Sequence, residues 1–314
     1  MTELPEGFRS VFVACGGTRL HAVTNAPQGA DAPVEDLRPA IVFLHGFPEY
    51  WAGWRDVFSR LCDDYLVIAP DQRGYNLSDA PQGVEHYATG KLVGDLLALT
   101  SSLIGERQFI LAGHDWGASV AYAAAIGAPD RVSGLVIANG VHPVVFQRAL
   151  LSDPEQAAAS QYIHRLCMPG AAERMAQDDF ALTLGMLEKF SATDWLNEAT
   201  RQGYREAWSR PGRLDAMLNW YRASPLVVPG PDGAPAEAPL TQAPAEKFVV
   251  AMPHLLIWGD ADQALRPAAT EGLEAFAPQL ERMVIPGADH WLIHSHAGQI
   301  ADAIDRFARA LPGG

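Results

Sequence analysis

Several things are scarce in this chain of 314 residues, and each scarcity excludes something. The only cysteines are Cys15, Cys62 and Cys167, widely spaced and odd in number. That excludes a disulfide framework and fits a reducing compartment. Positive charge is in deficit, with 23 Lys and Arg against 37 Asp and Glu, a formal charge of −14. Without a basic stripe, phosphates are repelled, so nucleic acid is excluded as a partner and the charge is read as serving solubility. No uncharged apolar run of about 18 residues is present, which excludes a helical membrane span. The opening Met1-Thr2-Glu3-Leu4-Pro5-Glu6-Gly7 has neither the basic n-region nor the apolar h-region of a signal peptide, so a cytoplasmic protein is expected. No cluster of Cys and His has metal-ligand spacing, and neither metal nor cofactor is expected. What the chain has is apolar residues, 48% of its composition, enough to bury one large α/β core with room for an insertion.

Alternating stretches at Phe8 to Val13 and Leu20 to Thr24 read as antiparallel opening strands, followed by a polar loop from Ala26 to Arg38. Continuous apolar runs then appear at Ala40 to Leu44, Tyr65 to Ala69, Phe109 to Ala112 and Leu135 to Ala138, alternating with helical segments near Trp54 to Cys62, Lys91 to Ile104 and Ala118 to Ala128. Such runs separated by helices predict a mostly parallel sheet covered on both faces. The rhythm stops after Asn139: Val144 to about Ala223 reads as helical, and a Pro/Gly/Ala-rich stretch from Pro225 to Ala245 reads as an extended return linker. Alternation resumes with a strand at His254 to Trp258, a helix near Pro267 to Phe276, a strand at Arg282 to Ile285 and a last helix from His296 to Leu311. The expected division is a core at 1–143, a helical cap at 144–225, a linker at 226–252 and the rest of the core at 253–314.

The segment Gly113-His114-Asp115-Trp116-Gly117 joins a buried strand to an alanine-rich helix. Two glycines permit a sharp turn that lifts the central side chain above the sheet, over the amides of a helix N-terminus. It is a nucleophile elbow with a carboxylate where serine would stand. Serine suits acyl carbons; an aspartate is already anionic at neutral pH and displaces a leaving group from saturated carbon. The bland alternative is an aspartate that caps the helix.

Two partners follow in the chain order nucleophile, acid, histidine. Asp262 follows one strand in Gly259-Asp260-Ala261-Asp262, and His290 follows the next in Asp289-His290-Trp291. Both fall at carboxyl ends of strands, where open α/β sheets gather ligands. Asp260 competes for the acid's place, and His294 or His296 for the base's; these read as turn or helix-surface residues. The loop His45-Gly46-Phe47-Pro48-Glu49 is expected to give the Phe47 amide to an oxyanion hole alongside that of Trp116. Pro48 predicts an unusual bend there, a cis bond being one form, and His45 reads as structural.

Taken together, His45 to Glu49, Asp71-Gln72-Arg73-Gly74-Tyr75-Asn76-Leu77-Ser78-Asp79, the Asp115 elbow and the two late loops resemble the epoxide hydrolase branch of the α/β-hydrolase fold, from about Phe8 to Leu311. The resemblance implies that Tyr162 and Tyr221, which match that branch's tyrosine pair, bind the epoxide oxygen and protonate it as the ring opens. It implies a covalent ester on Asp115, then hydrolysis by water activated by His290 and Asp262, with a small apolar epoxide and water as the only partners. Oligomeric state is left open. The base must be neutral, so activity is expected to fall as pH drops through an imidazole pKa of about 6.5. The same nucleophile serves dehalogenases, but Phe47 stands where haloalkane dehalogenases place Asn or Trp, and Trp116 where fluoroacetate dehalogenases place Arg. A serine esterase lacks its nucleophile here, and an idle hydrolase fold acting as a receptor is disfavoured by the complete Asp115, Asp262, His290 set. Trp51, Trp116, Met186 and Trp220 are candidate pocket walls, or plain core.

Overall fold

A computed structural model describes residues 3–27, 36–189, 193–230, 233 and 238–312. Eight strands form one sheet: β1 (Arg9–Cys15), β2 (Thr18–Thr24), β3 (Ala40–Leu44), β4 (Leu66–Pro70), β5 (Phe109–His114), β6 (Val132–Ala138), β7 (His254–Gly259) and β8 (Leu280–Ile285). Their order is β1-β2-β4-β3-β5-β6-β7-β8. Only the β1–β2 and β2–β4 pairs are antiparallel. Every residue of β3, β4, β5 and β7 is buried, which is why these strands are apolar without alternation. The chain runs outward from β3 to β4 and then returns to β5, so the carboxyl ends of β3 and β5 flank the switch in direction, where such sheets open a crevice.

Between β6 and β7 the chain builds helices at Pro143–Ser152, Pro154–Ala159, Tyr162–Cys167, Ala171–Lys189, Glu198–Trp208 and Arg213–Arg222. The fourth is broken at Gln177–Phe180, where Asp178, Asp179 and Phe180 take positive φ. These helices are fastened to the sheet's loops by buried polar atoms. Trp208 Nε1 donates to Pro48 O at 2.6 Å, Trp220 Nε1 to Arg73 O at 3.0 Å and Tyr204 Oη to Glu49 at 2.7 Å. Each bond satisfies a group whose burial would otherwise cost about 1–3 kcal/mol.

Two sequence expectations change. The helix near Pro267 to Phe276 is two 3₁₀ turns, Pro267–Thr270 and Leu273–Ala275, separated by Gly272 at φ 78°. The first turn ends at Glu271, whose backbone is extended, and the left-handed Gly272 then redirects the chain into the second. Part of the expected return linker, 231–232 and 234–237, lies outside the described residues, as do 28–35 of the polar loop; the linker's described part carries a helical turn at Pro239–Gln242.

Candidate active site

Strand β5 ends at His114, and the helix Trp116–Gly127 begins two residues later. Asp115 makes that turn alone, at φ 51° and ψ −121°. A non-glycine residue held there stores on the order of 1–3 kcal/mol, which the surrounding structure must impose. The flanking glycines are dictated by close approach: a Cβ on Gly113 would sit 2.7 Å from Gly117 O, and one on Gly117 would sit 2.1 Å from Leu44 O. Asp115 stands at the N-cap position of that helix, but its side chain makes no cap bond and is free to face the site. Its Oδ1 accepts from Phe47 N at 2.7 Å, and its Oδ2 lies 3.7 Å from His290 Nε2. The side chain is 15% exposed, against 5% for His290, so a small molecule can reach the carboxylate first. The amide of Trp116, the other expected donor, opens the helix and makes no such bond to the resting carboxylate among the described residues. The Phe47–Pro48 peptide is cis.

On the far side of the imidazole, His290 Nδ1 lies 2.8 Å from Asp262 Oδ2. Asp262 is itself fixed from three sides: Oδ1 accepts from the amides of Ala264 and Leu265 at 2.8 and 2.9 Å, and Oδ2 from Asn139 Nδ2 at 2.9 Å. With Asp262 accepting at Nδ1, Nε2 is left facing Asp115. Asp260 points elsewhere, accepting from Gly287 N at 2.6 Å in an exposed turn. Burial alone would push the His290 imidazole down, but the charge and hydrogen bond of Asp262 and the nearby carboxylate of Asp115 override it and push it up to about 10. The expectation of titration near 6.5 is therefore corrected: between two carboxylates, the resting base carries a proton.

Tyr162 opens its helix and Tyr221 lies near the end of Arg213–Arg222, with ring centroids 6.3 Å apart. The Tyr221 ring meets Phe47 at 5.1 Å and Trp116 at 4.9 Å, edge to face. Burial raises both phenols, and the Asp115 charge raises them further, so each hydroxyl keeps its proton as a donor.

Sequence reasoning missed three residues. Asn139, buried at φ 35° after β6, ties the site's loops together: besides Asp262, its Nδ2 bonds Asp289 O at 3.0 Å and its Oδ1 accepts from Gly259 N at 2.7 Å. Glu49 and His294 form a buried pair, His294 Nε2 to Glu49 Oε1 at 2.7 Å, and His114 Nδ1 lies 3.4 Å from Glu49 Oε2. His294 is 9% exposed and stacks on Trp195 at 3.9 Å, which corrects its reading as a helix-surface residue. His114 Nε2 in turn meets His290 O at 2.8 Å, so this cluster buttresses the base's backbone. Trp51, a candidate wall, stands apart, against Phe58 and Tyr50.

Burial opposes ionisation of Glu49, yet the attraction and hydrogen bond of His294, with His114 Nδ1 close by, hold its carboxyl well below the usual 4.5. A depressed carboxyl pKa contributes stability that is present above about 4.5 and is lost as pH falls below it. Glu49→Gln should therefore cost ~3–5 kcal/mol at pH 7, since it leaves the histidines without their anion. In urea titrations the gap from the parent protein should shrink as pH falls from 5 to 3; a gap independent of pH would remove the ionic account.

A family model for the alpha/beta hydrolase fold matches residues 39–297. The chain is 30% identical to mouse epoxide hydrolase 3, over 96% of this chain and 77% of that one. It belongs to the epoxide hydrolases of the α/β-hydrolase fold. It is also 35% identical to the AB hydrolase superfamily protein YfhM of Bacillus subtilis, over 92% of this chain and 94% of that one. Among solved structures, an epoxide hydrolase from hot-environment metagenomes superposes with a TM-score of 0.83 at 33% identity, covering 98% of this chain and 99% of the other. The epoxide hydrolase of Bacillus megaterium, in complex with an inhibitor, gives 0.82 at 26%, covering 95% and 100%. Among the described residues no helix is long and apolar enough to cross a membrane.

Proposed function

We propose that the chain hydrolyses small apolar epoxides to vicinal diols through a covalent ester on Asp115. The supporting observation is the unequal treatment of the two Asp115 oxygens: Phe47 N holds Oδ1, while Oδ2 faces His290 without a close hydrogen bond. Oδ2 attacks the less hindered oxirane carbon, the C–O bond breaks, and the alkoxide takes a proton from Tyr162 or Tyr221. Oδ1 becomes the ester carbonyl oxygen, already seated on an amide that can hold the later oxyanion. Once Asp115 is an ester, its charge is gone. The raised proton affinity of His290 falls, its proton replaces the one given up by the tyrosines, and the neutral imidazole remains. His290, oriented by Asp262, then draws a proton from water as that water attacks the Asp115 carbonyl carbon; the tetrahedral intermediate collapses, its remaining hydroxyl proton passes to the departing alkoxide, and the diol leaves a carboxylate on Asp115 and a proton on His290. The division into core, cap and linker at 144–225 and 226–252 is part of this reading, with the cap carrying both tyrosines. So is a cytoplasmic location, supported by three cysteines that are all free thiols.

The pH dependence tests it. Ester formation uses the protonated resting site, so in single-turnover stopped-flow experiments with styrene oxide its rate should hold from neutral pH and fall above about 10, where resting His290 deprotonates. Ester hydrolysis needs neutral His290, so its rate should fall on the acid side, with a midpoint well below 10 because one of the two neighbouring anions is gone. A common midpoint for both steps would contradict the proposed loss of charge, and halide release from haloalkanes without epoxide turnover would replace the substrate class.

A further inference from the structure

Away from Asp115, three neighbouring strands each bring one polar residue to a common point. Ser10 lies on the edge strand β1, His21 on β2, and Asp71 directly after β4. In the β1–β2 register His21 pairs with Phe12, two residues from Ser10 on the same face of the strand, so serine and histidine are diagonal neighbours. Ser10 Oγ lies 2.7 Å from His21 Nε2, and His21 Nδ1 lies 2.6 Å from Asp71 Oδ2. Asp71 is fully buried and also accepts from Trp51 N at 3.1 Å, Asn76 Nδ2 at 2.9 Å and Leu77 N at 3.3 Å. Four donors converging on it leave it an acceptor, so the hydrogen of His21 sits on Nδ1 and Nε2 presents its lone pair to the serine hydroxyl. The His21 backbone is fixed as well, its N–H donating to Ser78 Oγ at 2.9 Å.

A bare structural role, in which a serine satisfies a buried histidine, would need no space beside the hydroxyl. Here Ser10 is exposed and, with His21, lines a cavity of about 300 Å³ whose walls include Leu4, Tyr50, Trp51 and Leu77. None of the Asp115 site's residues lines it. Its rim carries Arg210 and Glu206, one charge of each sign, which suits a neutral apolar ligand.

We propose that Ser10, His21 and Asp71 form a second nucleophilic site, acting on small neutral carboxylic esters. Nucleophile, base and orienting acid stand within the distances such catalysis requires. Ser10 Oγ attacks the ester carbonyl carbon while His21 Nε2 takes the hydroxyl proton; that proton passes to the departing alkoxide, leaving an acyl-Ser10. Water then attacks the acyl carbon with His21 again as base, releasing the carboxylic acid and restoring Ser10.

Diisopropyl fluorophosphate tests this, because the same hydroxyl would attack phosphorus and expel fluoride. Mass spectrometry of the treated protein should place one diisopropylphosphoryl group on the Ser10 peptide. Ser10→Ala should abolish that label and most hydrolysis of p-nitrophenyl butyrate while styrene oxide turnover stays as it was. His21→Gln should slow labelling by roughly 10²-fold, the contribution expected of a general base. An unlabelled Ser10 peptide in the parent protein, butyrate hydrolysis unchanged in Ser10→Ala, or labelling of a folded His21→Gln protein at the parental rate would each overturn the proposal.

Discussion

His290→Gln should convert the enzyme into one that reacts once. The amide cannot accept a proton from water, so ester hydrolysis should slow by roughly 10⁴-fold or more, while Asp115 keeps its Phe47 amide and both tyrosines for the first step. After incubation with styrene oxide, the intact mass should rise by one epoxide per chain, and digestion should place the increment on the peptide containing Asp115. The first step should slow as well, by a smaller factor, because the resting proton on His290 is no longer there to compensate the tyrosines. An unmodified Asp115 peptide, in a variant that still binds epoxide, would falsify the covalent step and leave direct attack by water as the alternative. Asp115→Asn is the matching control: it should show neither adduct nor turnover, since a neutral amide oxygen is a poor nucleophile.

How much of this was legible beforehand follows from what fixes each feature. The parallel sheet announces itself because β3, β4, β5 and β7 are buried on both faces and are apolar throughout, apart from one terminal histidine each on β5 and β7, His114 and His254. Asp115, Asp262 and His290 are legible because each follows the carboxyl end of a strand, and strand ends are the places a sheet offers for chemistry. What escaped is set by contacts between distant segments. His294 lies in Leu292–Ser295 and looks like a surface residue until Glu49, 245 positions earlier, is brought 2.7 Å away. Asn139 could have been suspected from its place at the end of β6, but its partners belong to the last residue of β7 and the loops after β7 and β8. Ser10 and His21 sit in an ordinary amphipathic hairpin, and only the docking of β4 delivers Asp71. The Pro267 to Phe276 segment misled for a local reason: its apolar spacing suits a helix, while the extended Glu271 and left-handed Gly272 turn the chain after one turn. The pKa of the base was beyond a reading of residue types altogether, since it depends on two carboxylates converging on one buried ring.

Gly117→Ala should show how narrowly the elbow is held. The added methyl would lie 2.1 Å from Leu44 O, 2.5 Å from its carbonyl carbon and 2.6 Å from His45 O, all backbone atoms of β3 and the loop that follows it. No side chain can rotate away to relieve this, so the helix Trp116–Gly127 and the β3 loop must separate by about 1 Å to reach ordinary contact. That loop carries the Phe47 amide, 2.7 Å from Asp115 Oδ1, and the separation would stretch the one hydrogen bond that sets the carboxylate's orientation. A displacement of this size costs on the order of 10² in rate where a nucleophile must be aligned. Styrene oxide turnover should fall by at least that factor, with a loss of several degrees in thermal midpoint. Gly127→Ala, in the last turn of the same helix with nothing within 4 Å of the new methyl, should leave turnover unchanged and stabilise by ~0.5–1 kcal/mol. Equal tolerance at the two positions would mean that the strand and the elbow are not in the close contact on which the Phe47 to Asp115 bond depends.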